Sequence, residues 1–154
     1  MKDDPLLSYR RKPATFGKED IDALETFAET LRTRVAKGKA YHCRITNDDE
    51  LRALNSQFRG NEYPTDVLSF PLDGDPDSLG DIAISLNRAR AQAKQYGHGP
   101  LDEIRILLLH GLLHLRGMDH ETDAGQMART ETAWRKKLGL PNSLIARVSA
   151  GESA

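Results

Sequence analysis

The stretch LLLHGLLHLRGMDHE, residues 107–121, sets His110, His114 and His120 at spacings of four and six. On a helix, residues four apart lie one turn apart on one face, so the first two imidazoles can reach a single metal ion. Gly117 can adopt the left-handed conformation that ends a helix, after which the chain turns back and His120 can supply a third nitrogen. Three protein ligands leave a fourth position open. That is the pattern of catalytic zinc, which lowers the pKa of a bound water to ~7. A lone histidine in an apolar helix is ordinarily a core residue with satisfied ring nitrogens. Two in one apolar helix and a third past a glycine turn are costly to bury unless something binds them. His42, in an expected strand, and His98, in the turn YGHGP, lack such spacing and read as structural or exposed.

Zinc peptidases of the H-E-x-x-H-x-x-G-x-x-H type share these three ligands and the glycine, but this chain carries Gly111 where they carry glutamate. That glutamate takes a proton from the metal's water and hands it to the leaving amine; glycine can do neither, so peptide hydrolysis is disfavoured. A substrate that is already negatively charged calls instead for a cation that neutralises charge in the transition state. Arg59, in NSQFRGNEYPTDVLSF, stands just past an expected helix and before a polar loop and strand. Taken alone it reads as a surface arginine, and Thr65 and Asp66 as residues that turn the chain into a buried strand.

The elements that must carry these residues follow from periodicity. AYHCRIT, DVLSF and DIAISL are three short strands, with Tyr41, Cys43 and Ile45 on one face of the first; LLSYRR near the N-terminus is a fourth candidate. KEDIDALETFAETLRTRVA gathers Ile21, Leu24, Phe27, Ala28, Leu31 and Val35 onto one helical face. NDDELRALNSQF, with Asn47 as N-cap, stripes Leu51, Leu54 and Phe58; LNRARAQAKQYG is polar and closes at Gly97. LDEIRILLLHGLLHLRG is apolar nearly all round and reads as a buried central helix, while DAGQMARTETAWRKKLG is a last helix. The acidic PLDGDPDSLGD, residues 71–81, reads as a surface loop. The order points to one α+β domain over residues 1–154, a mixed sheet of about four strands packed by helices, with the metal-binding helix at its centre.

Composition sets outer limits. A chain of 154 residues that is 38% hydrophobic suits a single globular core. It has neither a run of the ~20 apolar residues that span a bilayer nor an N-terminal segment of signal type, so a cytoplasmic protein is expected. Cys43 is the single cysteine and can form no intrachain disulfide. Net charge is −1, but residues 1–44 carry ten Lys/Arg against seven Asp/Glu, residues 45–81 two against nine, and residues 82–154 ten against seven. Solvated faces account for such runs, and a basic surface assembled from both ends remains open.

Taken together, LNSQFRGNEYPTDVLSFP, LGDIAIS and LLLHGLLHLRGMDHETD, with Met127 and Glu131 beyond, resemble the YbeY family of bacterial endoribonucleases and ribosomal RNA maturation factors. The resemblance spans about residues 40–140. It implies a small α+β fold, one zinc ion on His110, His114 and His120, and a cleft lined by Arg59. It further implies hydrolysis of single-stranded RNA during 3′-end maturation of small-subunit ribosomal RNA, together with the ribosome and its quality control. Arg59 and His114 are then the candidate catalytic residues, and another divalent transition metal could replace zinc. Arg116 departs from the family's less charged residue and is expected to point outward. Asp119 and Glu121 flank His120 and could either orient the ligands or cap the turn. Two alternatives stand beside this reading: a ribosome-assembly module in which zinc only holds the fold, and a metallopeptidase with an unusual base.

Overall fold

The computed structural model describes residues 5–60, 65–118 and 124–141, with only the backbone at Arg59. The element order is β1 (Leu7–Tyr9), α1 (Lys18–Arg34), β2 (Ala40–Thr46), α2 (Asp48–Arg59), β3 (Val67–Pro71), β4 (Ser78–Ser85), α3 (Leu86–Tyr96), α4 (Pro100–Leu115) and α5 (Gln126–Leu138). The sheet order is β1-β2-β4-β3. β1, β2 and β4 run parallel, and β3 closes one edge antiparallel to β4, so the sheet is mixed and the domain α+β.

Strand alternation divides the side chains between two faces. Cys43 pairs with Leu7 and Ile82, and Ile45 with Tyr9 and Ile84, which lays an apolar field under the long helices. Leu24, Leu31, Ile104, Leu108 and Leu112 complete this main core, all fully buried. α4 is buried along almost its whole length, as expected of a helix that is apolar all round. No helix of the described residues is long and apolar enough to cross a membrane. On the opposite face, Leu51 of α2 seals a smaller cluster over Leu68 and Ala83.

Local chemistry sets the boundaries. The Asn47 side chain accepts from the Glu50 amide at 2.9 Å and starts α2, and Gly60, at φ 71°, ends it. Asp66 is held by Gln92 Nε2 at 3.1 Å, and its carbonyl accepts from the Ser85 amide, so it turns the chain into β3 as expected. The acidic segment is shorter as a loop than its composition suggested. Ser78–Asp81 belong to β4, because pairing of Phe70 with Asp81 and Pro71 with Gly80 extends the hairpin beyond the apolar run. Gly80 permits this at φ 130°, where a Cβ would fall 2.2 Å from the Phe70 carbonyl oxygen.

Cys43 is fully buried, and desolvation pushes its thiol far above the ordinary range, which agrees with a purely structural role. Glu50 behaves oppositely. Burial alone would raise its carboxyl, but hydrogen bonds from Arg44 Nε, at 2.8 Å, and Thr46 Oγ1, with the positive charge of Arg44, hold it below its ordinary 4.5. A depressed folded-state pKa adds stability above the unfolded value that is lost as pH falls through the folded one. Glu50→Gln is therefore expected to lower chemical-denaturation stability at pH 7, with the gap to wild type closing as the medium is acidified below about 4.5. A gap that stays constant across that range would contradict the assignment.

Candidate functional site

α4 brings His110 and His114 together at its C-terminal end. Their ring centroids are 4.8 Å apart with planes at 75°, so the imidazoles converge edge to face. His110 is buried and His114 half-buried. The helix ends at Leu115, with Arg116 as its C-cap. The amides of Gly117 and Met118 bond back to the carbonyls of His114 and Leu113, and Gly117 takes φ 90°, the left-handed turn its sequence position suggested. Arg116 is exposed, as expected.

The orientation of His110 comes from a residue whose role the spacing of histidines could not reveal. Glu131 of α5 is fully buried, and its Oε2 lies 3.2 Å from His110 Nδ1. With the Nδ1 proton directed at that carboxylate, Nε2 is the nitrogen that would serve as a ligand. A carboxylate behind a histidine in this way fixes the tautomer and raises ligand basicity in metal sites. The donor set therefore fits a metal of the zinc type: two convergent imidazoles, one backed by a buried carboxylate. Glu131 and Met127, also fully buried, share the first two turns of α5, so a pattern search for a buried acid one helix beyond a histidine pair could have found the contact.

The other expected site residues stand as follows. His120, with Asp119 and Glu121, lies outside the described residues, and so does the Arg59 side chain; its backbone closes α2. Among the described residues no three metal-binding side chains are gathered. His98 is structural: its Nε2 lies 2.6 Å from Oε1 of the buried Glu103 in the first turn of α4. His42 is half-exposed beside Asp81, at 3.6 Å, and lines a cavity of about 790 Å³ between α2 and the sheet.

The structure also explains the glycine between the ligands. A Cβ at Gly111 would meet Ile82 Cγ2 at 2.9 Å, Ser69 Oγ at 3.3 Å and Val67 Cγ2 at 3.3 Å. Position 111 points into the sheet. Ser69 Oγ donates to the Gly111 carbonyl at 2.9 Å, a bond that depends on the same close approach. A glutamate here would be driven into the core, away from the metal-facing side.

Such an arrangement, a two-histidine helix seated against a mixed sheet, defines an α+β domain that presents imidazole donors at a helix end. A family model described as Endoribonuclease YbeY matches residues 12–139, and the chain belongs to that family. A Solibacter usitatus protein named endoribonuclease YbeY is 54% identical over 144 residues, spanning 94% of this chain and 95% of its own length. A Sulfurovum protein of the same name is 43% identical over 135 residues, spanning 83% and 88%. The solution structure of TM1509 from Thermotoga maritima is similar with a TM-score of 0.57 at 26% identity, covering 83% of this chain and 85% of that one.

Filling the contact at position 111 tests the packing. Gly111→Leu is expected to lower the melting temperature by roughly 3–10 °C, the consequence of about 1–3 kcal/mol of overpacking in a domain of this size. Differential scanning calorimetry measures it; an unchanged or higher melting temperature would refute the close approach.

Proposed function

We propose that this protein is a metal-dependent endoribonuclease that cuts single-stranded RNA in ribosomal RNA processing, at the 3′ end of the small-subunit RNA, and serves ribosome quality control in the cytoplasm. The observation that carries the reading is the buried His110–Glu131 contact beside His114, an oriented imidazole pair at a helix end. The names of the relatives and the family match support the substrate class.

One zinc ion, or another divalent transition metal, would be held by His110, His114 and His120, and when bound would supply Lewis acidity toward a phosphoryl oxygen and toward water. Glu131 holds the Nδ1 proton of His110 and keeps the ring aimed at the site. Ser69 and Gly111 seat the helix so that the imidazoles reach it at a fixed depth. Arg59 binds the phosphodiester through its planar fork of donors and neutralises charge that develops on the phosphoryl oxygens. Gly111 offers no carboxylate, so the helix lacks the proton shuttle that peptide hydrolysis uses.

Purified protein should cleave a labelled single-stranded RNA, and cleavage should stop in Arg59→Ala and His114→Ala variants whose circular dichroism is native, and after chelation. Equal cleavage by all preparations, or none by any, would instead favour an assembly factor whose metal only holds the fold; digestion of a peptide substrate would favour the peptidase alternative. Glu131→Gln should weaken zinc binding by about 10–100-fold, the usual effect of losing such a carboxylate, in competition with a chromophoric chelator. Unaltered affinity would remove Glu131 from the site.

A further inference from the structure

The cavity under α2 joins an aromatic wall to polar groups. Three strands deliver its floor in one cross-strand row: His42 pairs with Asp81, and Asp81 with Phe70, so an imidazole, a carboxylate and an aromatic ring stand side by side on the face away from α4. In the next row Ala83 lies between Arg44 and Leu68, and with Leu51 packed over it this row forms the inner edge of the cavity. Phe58, from the last turn of α2, completes the wall. The residue is 60% exposed, yet its ring sits edge-on to Phe70, with centroids 5.4 Å apart and planes at 63°. A large apolar residue left in solvent beside a preformed aromatic partner is an unfilled contact surface.

We infer that this cavity receives an unpaired nucleobase of the RNA strand, stacked against Phe58 and read by Asp81. The inference rests on the function proposed above and specifies how the strand is chosen. The aromatic wall favours a base over a phosphate: Phe58 and Phe70 offer ring surface, Arg44 of the same lining is already paired with Glu50 at 2.8 Å, and the Asp81 side chain, beside His42, is 66% exposed. The same carboxylate accepts hydrogen bonds from the exocyclic amines of cytosine, adenine or guanine, whereas uracil offers only its ring N3–H, flanked by two carbonyl oxygens that a carboxylate repels. At about 790 Å³ the space lies within the ~300–1,000 Å³ of typical ligand pockets and admits a base with its ribose.

The cavity is tied to the histidine helix by its own wall. Ser69 lines it and also donates to the carbonyl of Gly111, the residue after His110. Phe58 immediately precedes Arg59, the residue assigned to the phosphodiester. A base inside the cavity cannot be paired in a duplex, so the site would select single strands by exclusion.

The test is fluorescence anisotropy of labelled oligocytidine and oligouridine on the metal-loaded protein in the cold, with strand integrity checked on a gel, beside cleavage of the same strands. Wild type should bind oligocytidine about fivefold or more tightly than oligouridine. Phe58→Ala should weaken binding roughly tenfold, and Phe58→Tyr should restore it. Asp81→Asn should erase the preference between the two strands while leaving binding in place. Leu72→Ala, which removes another exposed apolar side chain outside this cavity, should change nothing. A Phe58→Ala protein that binds and cuts like wild type overturns the inference alone and points to a protein segment as the occupant. Phe58-dependent binding without cleavage supports the cavity and overturns the nuclease; no binding by wild type overturns both.

Discussion

The approach of α4 to the sheet at Gly111 is the constraint on which the rest of the molecule depends. A methyl group at that position would intrude on Ile82, Ser69 and Val67, so helix and strands sit closer than side-chain packing ordinarily allows. Because the contact lies between His110 and His114, it fixes the depth at which both imidazoles emerge. Specificity by omission follows: the residue that would make a helix of this pattern a peptidase would have to push aside Ile82, Ser69 and Val67, the packing that positions the histidines.

The two faces of the sheet divide the labour. The α4 face is dry and continuous, built of Ile, Leu and the inert Cys43, and α5 adds the buried Glu131 that makes the polar His110 tolerable there. The α2 face is covered only in part. α2 is twelve residues long and seals Leu68 and Ala83 with Leu51, and its last turn carries Phe58 beyond the cluster it helps to cover. Rigidity on one side and an opening on the other come from a single sheet whose alternate residues face opposite ways.

Much of this was legible from local pattern. The strand AYHCRIT coincides with β2, Asn47 caps α2, Gly97 and Gly117 end their helices, and the apolar run around the histidines is the central helix. What escaped reading depends on partners distant in the chain. Phe58 falls on the apolar stripe of α2 by period, but period cannot say where the sheet beneath it ends. Asp81 opens the expected strand DIAISL, but the three residues before it look like loop in composition, because their strand assignment comes from pairing across to β3 and β2. Glu131 is the one acid of α5, but nothing in its own segment shows that it is buried against His110 until α4 is packed beside it. Gly111 read as a missing base, whereas its physical role is a steric one.

The placement of α4 also bears on how the chain is made. The parallel pairs join residues far apart in sequence, Leu7 with Cys43 and Arg44 with Ala83, whereas the β3–β4 hairpin is local. During synthesis the whole sheet leaves the ribosome before the helix that fills its apolar face. Non-local parallel pairing forms slowly and offers open strand edges to neighbours while it does. Until Leu115 has emerged the nascent chain has only α1 to set against this field of Ile and Leu, so the interval before the last third of the polypeptide arrives is the stage at which the apolar face is most open to wrong partners.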